Sequence, residues 1–483
     1  MEIPKEIQKI TETLEENGYQ AFVVGGCVRD SLLGRRPSDW DIATDAKPDE
    51  TKNIFSNTYC DNQFGTVTVL TGSDQSELKE VEITPYRTEE NYRDGRHPEK
   101  VEWADSIEKD LSRRDFTINA LAYRPEKNKL VDLFSGEKDL KKGIIRSVGD
   151  AGERFNEDAL RMMRGVRFAT VLEFKIEEKT KKAIRKNAEL LNEISKERVR
   201  DEFLKIIMSD NAALGVEILR KLKLLDNIIP ELVNGYGVDQ NKHHIYDCYE
   251  HSILSLQYAA DQDYNMHVRM AALLHDVGKP TVKEGKGEEA TFYNHEVVGA
   301  EQADKILRKL KFSNKDREKI VKLVRYHLFY YNVGEVSESS VRRLVRNVGK
   351  KNIDDLIKVR KADRIGSGVP KAEPYKLRHL QYVIEKVSRD PISTKMLAVD
   401  GNEVMDLLNL DPGPKVGQIL TVLLSRVLND PDENNKKKLL EEVKRMGAMD
   451  DKKLKKLAEA SKKDIERVEK KRDEMTKKKY WVT

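Results

Sequence analysis

The distribution of apolar and polar residues divides the chain into two parts. In the first part, short apolar runs predict β-strands at Ala21–Val24, Asp41–Ala43, Thr66–Leu70 and Glu80–Thr84, with helical segments between them. From about Gly143 onward, apolar residues recur almost only at helical spacing. The change of periodicity predicts a mixed α/β head followed by a helical remainder.

Changes of composition divide the helical remainder further. We predict a head over residues 1–143, a helical region over 144–240, a histidine-rich region over 241–370, and a helical body and tail over 371–483. The tail contains a lysine-dense segment, Asp450 to Lys479, which is either a solvated helix or an arm that contacts phosphates.

Composition excludes several classes of protein. With 36% charged residues and a formal net charge of only +4, the whole-chain composition does not by itself indicate a nucleic-acid partner. Three scattered cysteines argue against a disulfide framework and against a zinc ribbon. Since there is no basic-then-apolar leader and no run of 18 apolar residues, we predict a cytoplasmic protein without a membrane span.

The chemistry suggested by the head lies in one stretch. An apolar strand ends at Gly25 and Gly26, where backbone N–H groups can approach a triphosphate at a helix N-terminus. Asp39 and Asp41 follow, two residues apart, so that on a strand both carboxylates face the same side. Two such carboxylates suit Mg²⁺, which completes its shell with water and phosphates. The stretch therefore predicts a nucleotide and metal site.

Four segments resemble, in order, the signature of class II tRNA nucleotidyltransferases, the CCA-adding enzymes and their poly(A) polymerase relatives. They are Gly25–Arg35 with Asp39–Asp41, then Arg113–Ala120, Asn156–Arg164 and Asp411–Gly417. The resemblance implies an α+β chain, with a DNA polymerase β-like nucleotidyltransferase head of mixed sheet and helices, followed by all-α neck, body, HD and tail regions. It makes residues 144–240 a helical neck and RNA-binding body, residues 241–370 an HD domain, and residues 371–483 a tRNA-binding body and tail. The expected partners are tRNA, ATP and CTP.

The resemblance also implies roles for individual residues. Asp39 and Asp41 would hold two Mg²⁺ ions for in-line displacement of pyrophosphate by the RNA 3′-hydroxyl. Glu82 is either a third carboxylate of this site or an ordinary exposed strand residue. Asp115 belongs to the site or caps the helix that follows it. The residues expected to hold the nucleotide are Gly25, Gly26, Arg29, Arg114, Asn119, Asp158, Arg161 and Arg164.

Asp158 and Arg161 are predicted to select the base. They lie three residues apart on a predicted helix, and hence on one face, where an ordinary intrahelical salt bridge is the competing interpretation. A carboxylate acceptor beside a guanidinium donor matches the amino group and ring nitrogen of cytosine and adenine, and mismatches uracil and guanine. Glu157 is expected to support the helix or to orient Arg161.

Two further segments refine this picture. Tyr86–Pro98 resembles the flexible loop that CCA-adding and A-adding members use for the final adenosine, which favours adenosine addition over CC addition alone. Lys196–Glu202 resembles the segment that steadies the neck helix in the family, for which we expect a structural role.

The histidine-rich region resembles HD phosphohydrolases. His251, the pair His275-Asp276 and Asp363 follow the family pattern, and His295 and His327 are candidates for a second metal. Imidazole and carboxylate ligands suit Mn²⁺, Ni²⁺, Fe²⁺ or Zn²⁺ better than Mg²⁺. The resemblance implies hydrolysis of a phosphoester, for example a 2′,3′-cyclic phosphate at a damaged RNA end.

The sequence therefore predicts template-independent addition of C, C and A to tRNA, with an HD phosphohydrolase activity. Four alternatives stay open at this point: an A-adding enzyme that works beside a CC-adding partner, a poly(A) polymerase, an HD-type nucleotide signalling hydrolase, and a non-catalytic RNA-binding protein. The oligomeric state also stays open.

Overall fold

A computed structural model describes residues 1–60, 65–92, 98–240, 245–388 and 392–482. The chain forms two compact units. The first contains Met1–Leu328 and Asp354–Pro370, and the second contains Phe329–Ile353 and the chain from Lys371 onward.

The head is built on a mixed seven-stranded sheet with the strand order β3-β4-β5-β2-β1-β8-β9. Strands β6 and β7 form a separate hairpin, and two short strands, β10 and β11, pair in parallel. The strands are β1 Ala21–Val24, β2 Asp41–Thr44, β3 Thr58–Cys60, β4 Val67–Leu70, β5 Glu80–Pro85, β6 Arg87–Tyr92, β7 Pro98–Trp103, β8 Leu121–Arg124, β9 Lys129–Asp132, β10 Ile144–Ile145 and β11 Lys175–Ile176.

The centre of the sheet carries the predicted metal-binding stretch. Strand β1 is buried along its whole length because it lies between β2 and β8, which explains its continuous apolar sequence. Strands β2 and β5 pair in parallel, with Asp41 opposite Glu82. The four predicted head strands are confirmed to within one residue at each end. The sequence did not predict β3, the β6–β7 hairpin, β8, β9, β10 or β11.

The remainder is almost entirely helical, as predicted. The α-helices are α1 Lys5–Glu16, α2 Gly26–Leu32, α3 Pro48–Ile54, α4 Ser76–Lys79, α5 Ile107–Ser112, α6 Gly136–Lys142, α7 Ala151–Glu157, α8 Leu160–Leu172, α9 Glu178–Asn187, α10 Lys196–Ile207, α11 Ala212–Lys221, α12 Leu225–Ile228, α13 Pro230–Val233, α14 Cys248–Asp261, α15 Met266–Leu274, α16 Lys279–Val282, α17 His295–Lys309, α18 Asn314–Tyr326, α19 Glu338–Val348, α20 Ile353–Gly366, α21 Tyr375–Ser388, α22 Gly401–Leu408, α23 Pro414–Asn429, α24 Lys436–Gly447 and α25 Asp451–Tyr480. Short 3₁₀ turns lie at Thr117–Asn119, Ala188–Asn192, Gly287–Glu289, Lys350–Asn352, Thr394–Met396 and Pro431–Glu433.

The second unit has its own hydrophobic core. Helices α22 to α25 supply most of it, with Ile419, Leu423 and Leu454 fully buried. The lysine-dense segment is confirmed as a helix, α25, which packs against α23 and α21. None of the helices in the described parts of the chain is long and apolar enough to cross a bilayer.

Candidate active site and metal centre

The glycine pair forms the turn between β1 and α2. Gly25 has φ +78° and ψ −128°, a conformation that residues with a Cβ adopt only at a cost, and α2 begins directly after it. A Cβ atom at Gly25 would lie only 2.7 Å from Nη1 of Arg114. The absence of a side chain at Gly25 therefore permits both the turn and the position of Arg114.

Three carboxylates meet at the start of β2. Burial, together with the charges of Asp39 and Glu82, raises the pKa of Asp41 to about 7. The pKa of Glu82 is also raised, by burial and by the charges of Asp39 and Glu80. The register of β2 and β5 thus brings the third candidate carboxylate beside Asp41, although Glu82 does not line the cavity described below. Such a group of acids is stabilised by a cation, and its oxygen donors fit a hard divalent ion.

Arg113 and Arg114 are held by one buried acid that sequence analysis missed. Asp110 lies on α5 and is 1% exposed. Its Oδ1 accepts a hydrogen bond from Arg113 Nη2 at 2.7 Å, and its Oδ2 accepts one from Arg114 Nη2 at 3.1 Å. Spacings of three and four residues are those of helical ion pairs, so the sequence did carry a signal for this contact.

A second network joins four side chains deeper in the cavity. The side-chain oxygen of Asn119 accepts from Arg29 at 2.8 Å, and its amide donates to Asp115 at 3.2 Å. Arg164 Nε donates to the other oxygen of Asp115 at 2.7 Å. Burial raises the pKa of Asp115, but the Arg164 guanidinium outweighs this effect and lowers the pKa to about 2. Asp115 therefore links the two motifs and does not cap the 3₁₀ turn that follows it.

A phenyl ring supports three of the arginines. The guanidinium groups of Arg29, Arg164 and Arg167 lie 5.2, 5.4 and 4.2 Å from the ring centre of Phe168. Arg167 also pairs with Glu202 on α10. Sequence analysis missed Phe168 and Arg167, because a phenylalanine at helical spacing has the pattern of an ordinary core residue.

Asp158 and Arg161 do not lie on one continuous helix, and this prediction was wrong. Helix α7 ends at Glu157, Asp158 is extended with φ −146° and ψ 102°, and α8 begins at Leu160. The Asp158 side chain accepts from the Leu160 N–H at 3.0 Å, a local bond that competes with helix formation. The competing interpretation, a simple intrahelical salt bridge, is not formed either.

Each member of this pair has a different partner. Arg161 Nη1 donates to Glu157 at 2.6 Å and to the Arg154 carbonyl at 3.3 Å, while Nη2 donates to the Arg113 carbonyl at 3.1 Å. Both oxygens of Asp158 accept from Arg198 on α10, at 2.7 and 3.3 Å. The segment Lys196–Glu202 therefore reaches the cavity through Arg198 and contacts Arg167, another residue of the cavity lining, through Glu202.

One open cavity of about 650 Å³ is lined by the two predicted metal ligands and the eight predicted nucleotide-binding residues of the head, whereas the alternative third carboxylate, Glu82, does not line it. These residues come from the turn between β1 and α2, from α2, from the start of β2, from the segment after α5, from the break between α7 and α8, and from α8. The cavity residues predicted from sequence are Gly25, Gly26, Arg29, Asp39, Asp41, Arg114, Asn119, Asp158, Arg161 and Arg164. Of the predicted loop at 86–98, residues 93–97 lie outside the described part of the chain.

Six metal-ligand side chains meet in the histidine-rich region. They are buried and form two groups, His251, His275 and Asp363 in one, and Asp276, His295 and His327 in the other. Asp276 lies between the groups: its Oδ2 is 3.1 Å from His251 Nε2, and its Oδ1 is 3.4 Å from His295 Nε2. The structure thus brings together all six residues proposed from sequence, with one carboxylate placed to serve two ions.

The backbone orients three of these imidazoles. The Nδ1 atoms of His275, His295 and His327 lie 2.8, 2.7 and 2.7 Å from the carbonyl oxygen three residues earlier in each case. An N–H donated there leaves Nε2 as the ligand atom. Burial lowers the pKa of His275, but Asp276 and Asp363 outweigh this effect and raise the pKa to about 10. A metal ion that binds His275 would therefore replace a proton. The donor set fits a transition metal.

Three family models match successive parts of the chain. The Poly A polymerase head domain matches residues 21–146, the probable RNA and SrmB-binding site of polymerase A matches 173–235, and the HD domain matches 248–367.

Comparison with curated proteins decides the family. A CCA-adding enzyme of Lactobacillus delbrueckii subsp. bulgaricus is 34% identical over 448 residues, which cover 91% of this chain and 97% of that protein. This chain belongs to the family of CCA-adding enzymes. The CCA-adding enzyme of Ligilactobacillus salivarius is 50% identical over 222 residues, and this match spans 53% of that protein's length.

A solved structure agrees with this assignment. The CCA-adding enzyme of Bacillus stearothermophilus in complex with CTP has a TM-score of 0.57 and 28% identity, with 92% of this chain and 98% of that chain covered. The predicted fold class, a nucleotidyltransferase head followed by helical regions, is confirmed, as is the resemblance to CCA-adding enzymes with an HD domain. Nucleotidyltransferase and HD domains both use divalent metal ions.

Proposed function

We propose that this protein adds C, C and A to the 3′ end of tRNA from CTP and ATP, with its own side chains in place of a template. One observation carries the proposal: the carboxylates Asp39 and Asp41 line the same cavity as the acceptor–donor pair Asp158 and Arg161. A site that only hydrolysed nucleotides would have no need of a base-reading pair. The named activity of the relatives supports the same conclusion.

Asp39 and Asp41 would hold Mg²⁺, which supplies activation of the RNA 3′-hydroxyl and charge neutralisation at the departing pyrophosphate. Arg114 and Arg29 line the cavity beside the glycine turn and offer N–H donors to the triphosphate. Because Asp110 and Asn119 already orient these guanidinium groups, little side-chain order is lost when the nucleotide binds.

The base would be read at the break between α7 and α8. Asp158 offers an acceptor to the exocyclic amino group of cytosine or adenine, and Arg161 offers a donor to the adjacent ring nitrogen. Uracil and guanine present the opposite pattern and would leave both protein groups unpaired, at a cost of roughly 1–3 kcal/mol per pair. The loop at 86–98 would assist the adenosine step, which favours adenosine addition over CC addition alone.

The substitution Asp41→Ala tests the metal assignment. We expect it to abolish incorporation of both CTP and ATP, because the ions that act at both ends of the transfer lose a ligand. Binding of tRNA should change little. Asp45→Ala removes an exposed carboxylate four residues away and serves as the control. Retained incorporation by Asp41→Ala would contradict the assignment.

We propose further that the HD cluster binds a pair of transition-metal ions, such as Ni²⁺, Mn²⁺ or Fe²⁺, and hydrolyses a phosphoester. A cavity of about 300 Å³ opens onto His295, His327, Asp276 and Asp363, and it is also lined by the cationic residues Lys279 and Arg360. Metal ligands beside cationic groups suit a phosphate substrate. A 2′,3′-cyclic phosphate at an RNA end has this chemistry.

The HD proposal is tested with Ni²⁺ or Mn²⁺ and either bis(p-nitrophenyl) phosphate or 2′,3′-cAMP. We expect metal-dependent hydrolysis that is lost in His275→Ala, while CCA addition by that variant stays at the wild-type rate. No hydrolysis with either substrate would refute the phosphohydrolase activity. We place both activities in the cytoplasm, where tRNA, CTP and ATP occur together.

A further inference from the structure

We infer that Arg198 sets the base specificity of the head site by holding the carboxylate of Asp158 apart from Arg161. The inference rests on the proposed base selection and assigns a specific role to a segment expected only to steady a helix. Arg198 contacts both carboxylate oxygens in a two-pronged arrangement, with Nη2 2.7 Å from Oδ2 and Nη1 3.3 Å from Oδ1. Arg198 and Asp158 both line the nucleotide cavity.

The hydrogen-bonding capacity of Asp158 is almost filled by the protein. A carboxylate has about four acceptor positions. On Oδ1, the Leu160 N–H at 3.0 Å and Arg198 occupy both positions, and on Oδ2 Arg198 occupies one. One acceptor position on Oδ2 is left for a ligand, which is what the amino group of cytosine or adenine requires.

The number of N–H donors that Arg161 can offer to a ligand is limited in the same way. A guanidinium has about five N–H donors. Three of them are used by Glu157, the Arg154 carbonyl and the Arg113 carbonyl. The remaining donors suffice for the ring nitrogen of the base. The pair is therefore restricted by its surroundings to the pattern that cytosine and adenine share.

Without Arg198, Asp158 and Arg161 have a simpler arrangement available. Asp158 lies directly before α8 and Arg161 lies in its first turn, so the two opposite charges are close along the chain and attract each other when nothing else holds them. Such a pair would satisfy acceptor and donor internally, and the site would lose its preference among bases. Glu157 on Arg161 and Arg198 on Asp158 are the two partners that keep the pair apart.

The test compares Arg198→Met with the wild type in single-nucleotide addition to tRNA. We expect the ratio of kcat/KM for CTP to kcat/KM for UTP to fall by roughly tenfold to a hundredfold, the discrimination of one bidentate base contact. Arg198→Lys keeps the positive charge but loses the two-pronged guanidinium contact, so its CTP-to-UTP ratio should lie between those of Arg198→Met and the wild type. Arg200→Met is the matched control, since Arg200 lies on the same helix but outside the cavity.

Thermal unfolding of each variant separates specificity from stability. An unchanged CTP-to-UTP ratio in folded Arg198→Met would overturn the inference. If that variant does not fold, Arg198→Lys decides: a ratio equal to the wild type's would overturn the inference, and an intermediate ratio supports it. A wild-type protein that adds neither C nor A would instead overturn the proposed function, and the inference with it.

An independent observation in the second unit concerns RNA binding. Helix α19 buries Val341 and Val348 and exposes Arg342, Arg343 and Arg346, which we call the arginine face. Arg342 pairs with Glu338 at 3.3 Å, whereas neither Arg343 nor Arg346 forms an ion pair with any residue that the structure describes. Other exposed arginines do have acidic partners: Arg308 pairs with Asp304, and Arg445 pairs with Glu442.

We propose that the arginine face binds the phosphate backbone of the RNA substrate. The three arginines and the hydroxyl groups of Ser339 and Ser340 line a shallow cavity of about 400 Å³. Guanidinium forks and hydroxyl groups are both donors to phosphate oxygens. Because two of the three cations have no carboxylate to displace, phosphate binding there costs no existing ion pair. This proposal also rests on the proposed function.

The double variant Arg343→Gln with Arg346→Gln tests this surface in a tRNA-binding titration at several salt concentrations. We expect weaker binding and a log Kd versus log salt slope that is smaller by about one to two, because fewer counterions are released. The control, Arg308→Gln with Arg445→Gln, removes two arginines that already face carboxylates and should leave the slope unchanged. An unaltered slope in the first variant would refute the proposal. A wild-type protein that does not bind tRNA would refute the proposed function.

Discussion

At the scale of single residues, the sequence predicted which side chains line the head cavity better than it predicted what holds them. All ten proposed head residues line one cavity. They were predictable because each motif combines residue types that suit one part of the chemistry. Their partners were missed. Asp110 could have been found from its spacing to Arg113 and Arg114, but Arg198 is 40 residues from Asp158, and only the folded chain brings them together.

The acid cluster at Asp41 gives the metal site a pH dependence. The pKa of Asp41 is raised to about 7, against 3.8 for an ordinary aspartate. Because this pKa is higher in the folded protein than in the unfolded chain, protonation of Asp41 stabilises the metal-free folded protein. This stabilisation is complete below about pH 4 and is lost as the pH rises through about 7. Mg²⁺ must displace the same proton, so we expect its effect on the unfolding temperature to increase from pH 5.5 to pH 8.

Thermal unfolding with and without Mg²⁺ at these two pH values checks the prediction. The variant Asp41→Asn, which cannot titrate, should lose the pH-dependent part of the shift and keep any part that arises at other sites. An Mg²⁺ shift in the wild type that is equal at both pH values would contradict the proposed role of this carboxyl group.

At the scale of elements, long periodic helices and buried strands were predictable, and the breaks between elements were not. The segment 151–172 has a helical pattern throughout, yet it divides at Asp158, whose side chain bonds to the Leu160 N–H. The break follows from one local hydrogen bond and the contact with Arg198, neither of which alters periodicity. The short strands β8 and β9 were missed because each combines a short apolar run with a charged last residue, Arg124 or Asp132, which does not distinguish a strand from a loop.

Gly25 connects backbone conformation to nucleotide binding, and Gly25→Ala tests this link. We expect a loss of stability of about 1 kcal/mol or more, because φ is positive, and a raised KM for CTP and ATP, because the new Cβ displaces Arg114. The matched control is Gly18→Ala, where φ is +86° but no atom lies within 4 Å.

Steady-state kinetics and thermal unfolding of the two glycine variants separate the effect of backbone strain from the effect of displacing Arg114. Gly18→Ala should be destabilised with an unchanged KM, whereas Gly25→Ala should show both effects. If Gly25→Ala were destabilised but bound CTP like the wild type, the position of Arg114 would not matter for the nucleotide.

At the scale of the whole molecule, two kinds of metal chemistry are built into different parts of the fold. The head offers carboxylates at the edge of an open cavity, which leaves room for a triphosphate and an RNA end. The HD cluster buries six side chains that could hold metal ions, contributed by helices and their ends. The order of these parts was predictable from motifs, whereas the second-unit arginine face was not, because isolated arginines on a short helix have no distinctive spacing.

The central claim is that this protein builds CCA without a template, and product length measures it most directly. A tRNA that lacks the CCA end is incubated with CTP, with ATP, and with both. We predict extension by two nucleotides with CTP alone and by three with both, and no further growth. Addition of a single A only to a tRNA that already ends in CC, a long tail with ATP alone, or no extension would each contradict the claim.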